Sequence, residues 1–108
     1  MNLAQLQQYQ ANINMDVKVI FDQMTIKEFG GKRCKTIVIT DVNSEKDGPT
    51  ALLDLFEEDV EKFKFGDKMR LINCFAKELT TKRGKQMLIS QGYNKTTKQF
   101  IGRYEKIQ

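Results

Sequence analysis

From Asp16 the chain alternates with a period of two residues: Val17, Val19 and Phe21 point one way, and Lys18, Ile20 and Asp22 the other. Met24 and Ile26 then fall on even positions, so the apolar phase slips by one near Gln23. A slip of this kind predicts a bulge or sharp bend in a long first strand, as small barrels require where one strand serves both sheets. Residues 35–42, rich in β-branched side chains, read as a second strand. Residues 43–49 (NSEKDGP) carry the composition of a hairpin loop, and residues 50–56 form a third strand with apolar positions on both faces. The acids Glu57, Glu58 and Asp59 open a short helix that runs to about residue 64, with Val60 and Phe63 sharing one face. The helix stops at Phe65-Gly66-Asp67. Residues 68–79 read as a long fourth strand with Leu71, Ile72 and Phe75 as expected core members. A polar hairpin over 80–85 leads into a fifth strand over 86–91.

The order is therefore β-β-β-α-β-β, which is the order of the OB-fold: an all-β, five-stranded barrel with a short helix between strands 3 and 4. The competing architecture is an SH3-like barrel, and the helix placement and the long bent first strand favour the OB-fold. A chain of 108 residues suits one domain. Residues 1–15 read as a Gln- and Asn-rich arm in which Leu3, Leu6 and Tyr9 or Ile13 line one side of a short helix. The arm either frays or docks against the barrel or a partner. Residues 16–92 form the barrel, and residues 93–108 a basic tail or helix.

Composition narrows the chemistry. With 40% hydrophobic and 30% charged residues, the chain reads as globular. No apolar run approaches the roughly 20 residues of a membrane span, and the N-terminus lacks the pattern of a secretory signal. An intracellular location, nuclear or cytoplasmic, is the expectation. Cys34 and Cys74 form no C-x-x-C pair and are expected as reduced thiols. There is no histidine, so the usual general base and every Ser-His-Asp arrangement are missing. No metal site, cofactor or enzymatic activity is expected. The acids Asp54, Glu57, Glu58 and Asp59 need no role beyond capping the helix.

Charge is segregated along the chain. Residues 50–67 hold six acids and two lysines, whereas residues 68–108 hold ten basic and two acidic residues. A basic half of this kind is the footprint of a polyanion-binding surface. In an OB barrel the binding face lies over strands 2 and 3, flanked by the loops between strands 1 and 2 and between strands 4 and 5. The most basic loops fall at those two places. Lys32, Arg33 and Lys35 belong to the first, and Lys82, Arg83 and Lys85 to the second; Lys77 on the fourth strand joins them. Basic loops on either side of one groove would track a phosphate backbone. Single strands are also held by stacking bases on aromatic rings. The candidates are Phe29, Phe56, Phe75 and Tyr93, while Phe21, Phe63 and Phe65 are expected in the core. The partner expected is single-stranded DNA, with RNA by the same face as an alternative.

Residues 34–92 resemble the single-OB single-stranded-DNA-binding proteins of the replication protein A superfamily, the archaeal-type proteins included. The stretches that carry the resemblance are CKTIVITDVNSEKDGPTALLDLFEED and FGDKMRLINCFAKELTTKRGKQMLISQG. Gly66-Asp67-Lys68-Met69-Arg70-Leu71 matches the family's G-D-x-[IV]-R-[IL] turn, except that methionine stands at the β-branched position. The resemblance implies an OB barrel that binds single-stranded DNA in replication, repair or telomere maintenance. It also implies base-stacking roles for Phe56 and Phe75. Leu79 and Ser90 stand where the family carries further aromatics. The superfamily also includes accessory subunits that hold other proteins through a C-terminal helix. That relation implies an alternative, a scaffold whose tail docks other protein subunits through Phe100, Ile101 and Tyr104.

Overall fold

A computed structural model describes residues 2–22, 25–44 and 48–107. Its elements are β1 (Ile13–Asp22), β2 (Lys27–Phe29), β3 (Lys32–Asp41), β4 (Thr50–Phe56), α1 (Asp59–Lys62), β5 (Lys68–Thr81), β6 (Gly84–Ser90), β7 (Tyr93–Asn94), β8 (Gln99–Phe100) and β9 (Arg103–Ile107). Strands β1, β3, β4, β6 and β5 follow one another around a ring that β1 closes by pairing with β5. The ring's pairings are antiparallel except for β4 with β6, which run parallel. With α1 between β4 and β5, this is the OB-fold expected from the order of elements.

Two breaks in the alternation decide which side chains face out. In β1 the pairing with β3 shifts between Val19 and Phe21. Val17 and Val19 therefore fill the core, whereas Phe21, expected beside them, is 52% exposed. The slip expected at Gln23, and Met24 with it, lie outside the described residues, as do 45–47 of the 43–49 loop. In β5, Asn73 adopts a positive φ of 54°, a conformation that asparagine tolerates better than most residues. Before it Met69 and Leu71 point inward; after it Cys74 and Ala76 do. Phe75, expected in the core, is thereby turned to the outer face and only partly buried, and Ile72 is also partly exposed.

The interior is built from Ile37 and Ile39 of β3, Leu53 and Leu55 of β4, Ile89 of β6, and Phe63, which closes one end of the barrel beside α1. Phe65, also expected inside, is 72% exposed. The turn after α1 is pinned to β1 through Gly66 N–H to Val19 O and Val19 N–H to Asp67 O, both at 2.9 Å, and its remaining side chain is left facing solvent. Lys35 shares the inward phase of Ile37 and Ile39, so it is buried against Asp22 in an ion pair of 2.9 Å. Cys34 and Cys74 are free thiols; burial pushes that of Cys74 up to about 11.

The arm from Leu3 and the tail through Ile107 are both part of the fold. Leu3 is buried, its N–H donates to Asp41 Oδ1 at 3.0 Å, and the Ala76 N–H donates to Gln10 O at 2.9 Å, so the arm docks on the barrel. The tail departs most from expectation. It is extended where a helix was the alternative: a β7–β8 hairpin, then β9, which pairs with β5 from Lys68↔Ile107 to Ile72↔Arg103. The spacing of Phe100, Ile101, Tyr104 and Ile107 mimics a helical stripe, but residues 68–72 of β5 have backbone groups that need a partner, and β9 satisfies them. Tyr104, expected to meet a partner, is instead only 4% exposed. Its ring packs edge-on against Phe63 with centroids 6.3 Å apart, and its hydroxyl donates to Asp54 O at 2.9 Å. Gly102 admits this approach, because a Cβ there would lie 2.6 Å from Asn73 O. The packing of the barrel thus extends beyond residue 92.

Candidate nucleic-acid interface

The register of the strands sets the outer face in rows. Phe21 opposes Val38, Val38 opposes Leu52, Leu52 lies beside Leu88, and Leu88 opposes Lys77. The next outward row contains Thr36 with Asp54 and Ser90 with Phe75, and beyond it stand Cys34 and Phe56. Over the first row the surface sinks into a cleft of about 890 Å³. Val38 and Leu52 make its apolar floor, Phe21 and Thr25 one wall, and Thr81, Lys82 and Arg83 of the β5–β6 hairpin the other. Among the described residues neither Lys82 nor Arg83 enters a salt bridge, and Lys85 pairs only loosely, with Glu78 at 3.7 Å. Thr25, Thr50, Thr81 and Gln86 add hydrogen-bonding groups along the rim.

Only one of the two expected basic loops meets this cleft. Of the β2–β3 residues, Lys35 is buried with Asp22, and Arg33 is drawn to the helix by Glu61 at 2.9 Å. Lys32 lies at the far end of the face, its Nζ 5.1 Å from the Phe100 ring centroid and 5.4 Å from that of Tyr93. The alternation of β3 explains the split, since it alone decides which of these cations faces the core. Lys77 is exposed, in the same row as the cleft floor.

The aromatic candidates gather at the other end. Phe56 packs against Phe100 at 5.6 Å, and Phe100 meets Tyr93 edge-on at 5.5 Å. Phe56, expected to stack on a base, is therefore covered on one side by the chain's own β8. Phe100, expected to meet a partner, is occupied there; Ile101 remains 43% exposed. Phe75 lies against Gly92, where a Cβ would come within 2.5 Å of its ring. Phe21 is the wall residue that sequence reasoning assigned to the core. Its phase matches Val17 and Val19 in the sequence, so only the register of β1 against β3 reveals it.

Asp54 lies on the outer face between the cleft and the aromatic corner. Burial raises its carboxyl above the usual carboxylate range; a hydrogen bond from Thr36 Oγ1 at 2.8 Å and the charge of Lys77 oppose this. A carboxyl whose folded-state value is raised holds its proton more tightly folded than unfolded. Its ionisation therefore costs stability as pH rises through the carboxylate range. Asp54→Asn is expected to raise the melting temperature at pH 7, with the gain shrinking below about pH 4. Thermal scans of both proteins across pH check this.

The fold and the cleft define a class: an OB barrel with an apolar, basic-rimmed groove on the face that such barrels use for oligonucleotides and oligosaccharides. Among solved structures, the chain is similar to fission yeast Pot1 crystallised with ssDNA (TM-score 0.61, 16% identity), covering 99% of this chain and 39% of that one. It is also similar to Schizosaccharomyces pombe Pot1pC bound to ssDNA (TM-score 0.55, 15% identity), covering 99% of this chain and 85% of that one. At these identities the likeness shows the fold. The chain spans about two-fifths of the length of the first of these proteins. No protein-family model matches the sequence, and no curated protein matches it.

Proposed function

We propose that this chain binds single-stranded DNA along the outer face of β3, β4 and β6, with the β5–β6 hairpin gripping the phosphates. The observation that carries this reading is the cleft itself: an apolar floor of Val38 and Leu52 beside Lys82 and Arg83, two exposed cations on its rim. Apolar surface under a cationic rim suits a polymer with flat bases and a charged backbone. Both neighbouring structures hold ssDNA, which supports the same reading. Replication, repair or telomere maintenance as the setting rests on the resemblance to replication protein A-type proteins alone. A scaffold that docks partners through its tail is less well supported, because Tyr104 is buried and Phe100 packs on Phe56. The test is fluorescence anisotropy with labelled strands of about 30 nucleotides at ~50 mM salt. Saturable binding that weakens steeply with salt is expected, with matched DNA and RNA strands compared by competition. No binding at that salt would overturn the reading.

A further inference from the structure

We propose that Asp54 reads bases on this face and selects guanine, the base that offers two adjacent donors on its Watson–Crick edge. The inference rests on the single-strand reading above and adds a specificity to it.

Asp54 points outward from β4, one row from Leu52 of the cleft floor and one row from Phe56. Thr36 Oγ1 donates to its Oδ1 at 2.8 Å, which fixes the carboxylate's orientation. Among the described residues no hydrogen bond reaches its Oδ2. Asp54 is itself only partly buried. An oriented acceptor thus remains open to a ligand in the middle of the face.

A carboxylate there repels phosphate, so the backbone is held toward Lys82 and Arg83 and the bases are turned inward. An ionised carboxylate can only accept hydrogen bonds. Guanine presents N1–H and the N2 amine side by side, one for the open Oδ2 and one for the lone pair that Oδ1 keeps beside its bond from Thr36. Adenine and cytosine each present one amine next to an acceptor. Thymine presents one N–H between two carbonyls, which the carboxylate repels. Single strands are read on these edges once their bases are splayed from the stack. Phe75, in the same row of the sheet, offers a ring beside the base so held.

The experiment compares oligonucleotides of about 12 thymidines carrying one central guanine, inosine, adenine or cytosine, at low salt. Inosine is guanine without the N2 amine, so it removes one of the two donors and little else. The wild-type chain is expected to bind the guanine strand about ten-fold more tightly than the inosine strand, the loss of one hydrogen bond to a charged group. Asp54→Asn is expected to bind all four strands alike. Equal wild-type affinity for guanine and inosine, or guanine preference retained in Asp54→Asn, would overturn the proposal while leaving the single-strand reading in place. Failure of the wild-type chain to bind any strand would remove both. The inosine comparison uses the unaltered chain, so it holds even if the variant does not fold.

Discussion

Replacing Lys82, Arg83 and Lys85 together with alanine is expected to weaken binding of every single strand by about 10- to 100-fold at low salt. These residues sit on the β5–β6 hairpin, exposed, with Lys82 and Arg83 lining the cleft. A cation that meets a phosphate releases condensed counterions, so its loss appears in the salt dependence as well as in the affinity. The slope of log affinity against log salt should flatten by about 2, at roughly 0.7 for each single-strand contact removed. The effect should be uniform across sequences, because phosphates carry no base information. Stability should hardly change, since the ion pair lost among the described residues, Lys85 with Glu78, is long and exposed and such pairs contribute little. Titrations at several salt concentrations, with circular dichroism of the variant, check all three points. An unchanged slope would mean that the phosphates lie elsewhere.

Tyr104→Ala is expected to remove a large part of the domain's stability, although only four residues follow it in the sequence. Its ring is buried against Phe63, its hydroxyl satisfies Asp54 O, and its strand completes one edge of β5. Truncating a large buried aromatic to alanine costs about 3–5 kcal/mol. Domains of this size have about 5–15 kcal/mol in total, so the melting temperature should fall by roughly 12–40 °C. Tyr104→Phe keeps the ring and leaves one carbonyl unpaired, for a loss of about 1 kcal/mol. A chain ending at Gly92 should not fold, because it lacks β9 as well as the ring. Thermal melts order the three variants. A truncated chain with a native melt would show that the tail is an accessory.

The tail also shows where sequence reading stopped. The barrel was legible because its signals are local. Period-two alternation marks β1, a β-branched run marks β3, and the acids before Val60 mark α1. Phe63 and Val60 were placed correctly for the same reason. The tail was not legible, since its few apolar residues fit a helical stripe as well as a strand. What chose the strand was the open edge of β5 far earlier in the chain. The cleft divides in the same way. Lys82 and Arg83 belong to a hairpin whose position follows from strand order. Lys32, Arg33 and Lys35 are adjacent in sequence, yet one lies over aromatic rings, one is drawn to Glu61 and one is buried with Asp22.

The sequence by itself determined the order of the five barrel strands, the helix between β4 and β5, and the basic hairpin beside the face. Each follows from residues within a few positions of one another, where hydrophobic period and turn chemistry act. Only the tertiary structure decided that Phe21 and Phe75 face outward, that Tyr104 lies in the core and that Phe100 covers Phe56. Those outcomes depend on register, a bulge in β1 and a left-handed residue in β5. One residue of offset turns a side chain from one face of a sheet to the other, and the pairing of strands distant in the chain sets that offset.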